Sequence, residues 1–132
     1  MATTATPMVL IVEDEFDLAK SFMDMLKPLR LNMLWAADGQ DAMTLLVGGL
    51  KPDLIILDLF MPKVNGWEFL DAMEKNDAFR RIPVLVLSAW VETDLGLPRA
   101  KLAGVLTKPT GVNELMAEVS KALGLKQPAN ES

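Results

Sequence analysis

The sequence predicts an α/β domain in which a five-stranded parallel sheet, doubly wound in the order 2-1-3-4-5, carries helices on both faces. Three observations predict it. Short apolar runs alternate with stretches of helical period, giving a strand-helix unit five times along the chain. The central runs are apolar at successive positions, as in strands buried on both faces. Polar residues stand at the ends of those runs, where an open α/β sheet presents its chemistry. At 132 residues the chain suits one such domain. We assign it to residues 8–124, between a flexible N-terminal tail, 1–7, and a flexible C-terminal tail, 125–132.

Met8-Val9-Leu10-Ile11-Val12 is the first strand, and Glu13-Asp14-Glu15 follows it. Leu18, Phe22, Met25, Leu26 and Leu29 then recur at helical spacing, with Asp17 placed to cap that helix and Pro28 to help stop it. Residues 31–36 read as the second strand; Asp38-Gly39 opens a helix carrying Ala42, Leu45 and Leu46, and Gly48-Gly49 closes it. Leu54-Ile55-Ile56-Leu57 forms a third strand ending on Asp58. A loop punctuated by Pro62 and Gly66 leads to a helix over 66–75 with Trp67, Leu70 and Met73 on one stripe.

The fourth strand spans 82–87, with Pro83 at its start, where a missing donor is tolerated, and it leads to Ser88-Ala89. Residues 90–102 look helical only near Arg99-Ala100-Lys101-Leu102, because Gly96 and Pro98 interrupt any long helix. Gly104-Val105-Leu106-Thr107 is a short fifth strand before Lys108-Pro109. The last helix, 113–123, faces Leu115, Met116, Val119 and Leu123 inward and stops at Gly124.

Composition narrows the chemistry. With no cysteine and no histidine, the chain has no thiolate site, no imidazole ligand and no imidazole base. A net charge of −5 argues against direct nucleic-acid binding. No apolar run has the length of a membrane span, and residues 1–7 lack the charge and apolar stretch of a secretory signal, so a cytoplasmic location is expected.

The strand ends gather Glu13 and Asp14, Asp58, Ser88 and Lys108 along one edge of the sheet. Carboxylates crowded there repel, by about 4 kcal/mol for two charges some 4 Å apart at an effective dielectric near 20. A cation relieves this, and oxygen-only ligands point to a hard ion such as Mg²⁺. A carboxylate beside a divalent ion, a hydroxyl and an ammonium is equipment for phosphoryl transfer, with Asp58 as nucleophile and an acyl phosphate as product. Asp14 would be a direct ligand and Glu13 would act through metal-bound water, while Ser88 and Lys108 bind phosphoryl oxygens.

Val12-Glu13-Asp14-Glu15, Asp58-Leu59-Phe60-Met61-Pro62-Lys63-Val64-Asn65-Gly66, Ser88-Ala89 and Lys108-Pro109, in that order across residues 8–124, resemble the response-regulator receiver domains of two-component signalling, which have the flavodoxin-like fold. The resemblance implies phosphorylation of Asp58 by a histidine kinase or histidine phosphotransfer protein, with Mg²⁺ held additionally by the backbone carbonyl of Phe60. It implies a phosphoacceptor that assists its own phosphorylation and dephosphorylation, not an enzyme acting on other substrates. A downstream effector would read the changed surface, since no output domain follows within this chain, and a second copy of the chain is a further candidate partner.

The sequence departs from the family pattern at Val105, where an aromatic switch residue commonly stands three positions before the lysine. It also departs in the shortened stretch from Ser88 to Lys108, and in placing Phe60 and Trp90 where polar residues are common. Transmission without the usual aromatic, and shielding of the acyl phosphate from water by Phe60 and Trp90, are the expectations these departures raise. Three alternatives stand beside the receiver reading. A receiver-like module that binds partners without phosphorylation fits the same fold. A haloacid dehalogenase-type hydrolase needs an aspartate where Phe60 stands, and a flavin-binding flavodoxin needs a hydroxyl-rich loop where Glu13-Asp14-Glu15 stands.

Overall fold

In the computed structural model, residues 6–58, 66–88, 102–107 and 111–125 are described, with the backbone alone for residues 66, 67, 88, 102, 103, 105 and 107. Five strands form one sheet: β1 Met8–Val12, β2 Asn32–Ala36, β3 Leu54–Asp58, β4 Val84–Ser88 and β5 Leu102–Thr107. Every pairing is parallel and the order is β2-β1-β3-β4-β5, so the chain reverses its direction of winding after β2. The described helices are α1 Phe16–Leu26, α2 Gly39–Val47, α3 Gly66–Glu74 and α4 Val112–Leu123.

The sheet separates two apolar cores, and strand periodicity decides which residue enters which. Val9, Ile11, Leu54, Ile56, Leu85 and Leu87 pack with Ala19, Phe22 and Leu26 of α1 and with Leu115 and Val119 of α4. The intervening Leu10, Val12, Ile55, Leu57, Val84 and Val86 pack with Ala42 and Leu46 of α2 and with Phe69 and Met73 of α3. This is why β1, β3 and β4 read as unbroken apolar runs: both faces are covered.

Local chemistry sets the helix ends. Asp38 caps α2, its Oδ1 accepting from the Asp41 N–H at 2.8 Å. Gly124, at φ 72°, closes α4, while the N–H of Leu125 reaches back to the Ser120 carbonyl at 2.8 Å. α1 passes into a 3-10 turn, Lys27–Leu29, that holds Pro28. At the start of the sheet, Met8 and Asp53 exchange two bonds: the Met8 N–H donates to Asp53 Oδ2 at 2.8 Å, and the Asp53 N–H donates to the Met8 carbonyl at 2.7 Å.

Several expectations need correction. Glu15, not Asp17, occupies the N-cap of α1, without a side-chain capping bond; Asp17 lies inside the first turn, where it favours the helix dipole. β4 begins at Val84, so Ile82 and Pro83 precede it, although the Pro83 carbonyl still accepts from the Ile55 N–H at 3.0 Å. Leu102, expected at the end of a helix, belongs to β5, where it pairs with Val84. Gly104 pairs with Leu85, so Ala103 is an extra residue, a bulge at the start of β5. On α3 the expected Leu70 and Met73 do pack on the core, Phe69 joins them as the most deeply buried of that helix's described side chains, and the side chain of Trp67 lies outside the described residues. The tails at 1–5 and 126–132 and the questions over residues 90–101 lie outside the described residues.

Candidate functional site

β1 and β3 are adjacent and in register, Val12 opposite Leu57, so the residues that follow them emerge side by side. Glu13, Asp14 and Asp58 thereby meet: each offers a carboxylate oxygen, and these oxygens all lie within 4.8 Å of one another. Glu13 and Asp58 are buried, at 1% and 4% exposure, whereas Asp14 is exposed. Two buried carboxylates and a third, exposed one thus concentrate acidic groups at the shared end of β1 and β3.

The backbone that presents Glu13 is fixed by the edge strand. Its N–H donates to the Ala36 carbonyl at 3.0 Å, extending the β1–β2 ladder by one residue, and its carbonyl accepts from Trp35 Nε1–H at 2.7 Å. Glu13 Oε2 accepts from the Glu15 N–H at 3.3 Å, which turns the loop toward α1. The indole of Trp35 also meets the ring of Phe16, the first residue of α1, edge to face with centroids 5.1 Å apart.

The donor set fits a hard divalent cation. It is all carboxylate oxygen, clustered closely enough for one ion, and partly open to water, as an ion that keeps several waters requires. The cluster could therefore hold a metal.

Of the other sequence-predicted groups, Ser88 closes β4 with its backbone opposite Thr107 of β5. That pairing brings the ends of the two strands to the same edge as Asp58, which pairs with Leu87. Phe60, Lys108, Trp90 and Pro109 lie outside the described residues, as do the side chains of Ser88 and Val105. Sequence reading missed Trp35 and Phe16 as neighbours of the acidic loop, because Trp35 stands 22 residues from Glu13 and only strand pairing brings them together.

A cavity of about 480 Å³ lies elsewhere, lined by Leu46, Leu50, Phe79 and Ile82 among others. It adjoins the segments that lead into β3 and β4, at the opposite end of the strands from Asp58, and its lining holds no acid among the described residues. Among the described residues, no helix is long and apolar enough to cross a membrane.

Comparison with known proteins agrees on one family. The family model described as "Response regulator receiver domain" matches residues 9–120. The sensor histidine kinase TmoS of Ectopseudomonas mendocina is 35% identical over 125 residues, covering 91% of this chain and 12% of that protein. The DNA-binding dual master transcriptional regulator RpaA of Synechocystis sp. is 33% identical over 124 residues, covering 89% of this chain and 49% of that protein. The chain thus spans about half or less of these two curated relatives. Among solved structures, the chemotaxis response regulator CheY4 of Vibrio cholerae superimposes with a TM-score of 0.80 at 25% identity, covering 90% of this chain and 100% of that one.

Proposed function

This chain belongs to the response regulator receiver domain family, and from that premise we propose that it takes up a phosphoryl group on Asp58 in a Mg²⁺-dependent reaction. Receiver domains are signalling phosphoacceptors rather than enzymes with external substrates. The observation that carries the assignment to Asp58 is the meeting of its carboxylate with those of Glu13 and Asp14 at the shared end of β1 and β3.

In this reading Asp14 and Asp58 are the direct carboxylate ligands, Glu13 acts through water, and the Phe60 carbonyl completes the protein's share. Mg²⁺ held there would supply positive charge to offset that of the phosphoryl oxygens. An Asp58 oxygen attacks the phosphorus of a phosphohistidine in line with the departing imidazole nitrogen. The O–P bond forms, the N–P bond breaks, and its electron pair returns to the imidazole, which takes a proton from solvent. The Ser88 hydroxyl donates to one phosphoryl oxygen and the Lys108 ammonium holds another, which positions the group without covalent help. Water attacking the same phosphorus later releases phosphate and restores the Asp58 carboxylate. Burial of Asp58 beneath the edge supports this assignment, since a buried nucleophile leaves water few directions of attack.

The phosphoryl donor is a histidine kinase or histidine phosphotransfer protein, and an effector reads the added charge. The switching unit extends over residues 8–124 and works in the cytoplasm, where such kinases bind ATP. Incubation with acetyl phosphate or phosphoramidate and MgCl₂, followed by intact-mass measurement, tests the assignment. A single phosphoryl adduct is expected in the wild type and none in Asp58→Asn or in EDTA. An adduct that survives Asp58→Asn, or a wild type that never acquires one, overturns it.

A further inference from the structure

We propose that Trp35 is a positioning residue for the acidic loop, holding Glu13 and Asp14 in the arrangement that accepts the divalent cation. The inference rests on the functional reading above and adds to it a residue from the edge strand, remote in sequence from every group in the site.

The geometry is a clamp with two jaws on one indole. Trp35 lies on β2, opposite Ile11 of β1 and so two residues short of Glu13 along the ladder. Its Nε1–H donates to the Glu13 carbonyl at 2.7 Å. Its ring meets Phe16 at 5.1 Å and an interplanar angle of 62°. Residues 13–16, the whole turn from β1 into α1, are thereby gripped at both ends by a single side chain. The adjacent Ala36 carbonyl accepts from the Glu13 N–H. Residues 35 and 36 of β2 thus satisfy both backbone polar groups of Glu13.

The consequence falls on Asp14. The carbonyl that Trp35 holds belongs to the Glu13–Asp14 peptide plane, and a peptide plane is rigid. With its oxygen anchored and the Glu13 N–H fixed, the backbone direction into Asp14 is set. Asp14 is exposed, so packing does not restrain it, and its like-charged neighbours within 4.8 Å push it outward. A donor aimed at the loop's backbone opposes that drift before any ion arrives, which lowers the reorganisation needed on binding. Groups outside the ligand set that orient ligands in this way commonly change metal affinity by about 10–100-fold.

A purely space-filling role for Trp35 makes a different prediction, and a substitution separates the two. Trp35→Phe keeps an aromatic ring at the edge strand and removes the indole N–H. Calorimetric titration with MgCl₂ is expected to show affinity weakened roughly tenfold. Thermal unfolding in EDTA should change little, and amide exchange of residues 14–16 in the metal-free protein should accelerate. Phe16→Leu, at a position 53% exposed, removes the second jaw but leaves the N–H. It should weaken Mg²⁺ binding by a smaller factor than Trp35→Phe does. Wild-type protein that binds Mg²⁺, with Trp35→Phe binding it equally well and exchanging no faster, overturns the inference and leaves the functional reading standing. Wild-type protein that takes up no Mg²⁺ overturns the functional reading, and this inference with it.

Discussion

Asp58 and Leu87 are partners across the β3–β4 ladder, and Ser88, the next residue, is in turn the partner of Thr107 on β5. Strand register alone therefore sets positions 88 and 107 level with each other and one residue beyond position 58 along one edge, with Lys108 next in the chain. Sequence-distant groups come to one place because the two central pairings, β1–β3 and β3–β4, are each held in step by buried side chains.

Crowding of three carboxylates should be visible in stability. Asp58→Asn is expected to raise the unfolding free energy of the metal-free protein at pH 7 by roughly 1 kcal/mol, part of the repulsion between charges at this range. Urea unfolding in EDTA measures it. A variant less stable than the wild type contradicts a repulsive cluster.

Metal should stabilise the fold by linkage. With MgCl₂ at about 100 times its Kd, the gain is about 2.7 kcal/mol. Repeating the urea titration with and without MgCl₂ reads this directly. The gain should disappear in Asp14→Asn, which removes an exposed carboxylate of the cluster while leaving both cores intact.

Phe69→Ala should cost more stability than any other of these substitutions. Phe69 is fully buried between α3 and the core beneath α2, and such truncations cost about 3–5 kcal/mol. Guanidinium unfolding with unchanged m-value and a lowered midpoint is the expected result.

Asp38→Ala should cost about 1 kcal/mol, the value of an N-cap, by freeing the Asp41 N–H at the start of α2. Asp38→Ser should recover most of it, because a serine hydroxyl also caps. Thermal unfolding of the two variants side by side checks this.

Much of the fold was legible in the sequence for a physical reason. Leu54 to Leu57 are apolar on both faces because helices cover both faces, and a four-residue apolar run records that directly. Asp38 before Gly39 announced its helix because capping is local. The same locality explains the acidic cluster, since each carboxylate directly follows or ends an unmistakable strand.

What escaped was non-local or a matter of phase. Leu102 lies in β5 through its pairing with Val84, a contact no window around residue 102 contains. Phe69 and Leu70 are adjacent on the nine-residue helix α3 and both pack on the core, and over so few turns apolar spacing does not show that Phe69 is the more deeply buried. The Trp35 bond to Glu13 depends on β1 and β2 lying side by side. An aromatic in an edge strand otherwise reads as ordinary packing.

The Met8–Asp53 pair of hydrogen bonds fastens the far end of the same β1–β3 ladder whose near end carries Glu13 and Asp58. A slip of one residue there would send Val9, Leu10, Ile11 and Val12 each to the opposite face, spoiling two cores at once. The same slip would carry Glu13 out of step with Asp58. Accuracy at the acidic edge is thus proofread by hydrophobic fit: a chain with misaligned carboxylates is also a chain with two misfitted interiors, and the folding equilibrium discards it before its chemistry is ever tried.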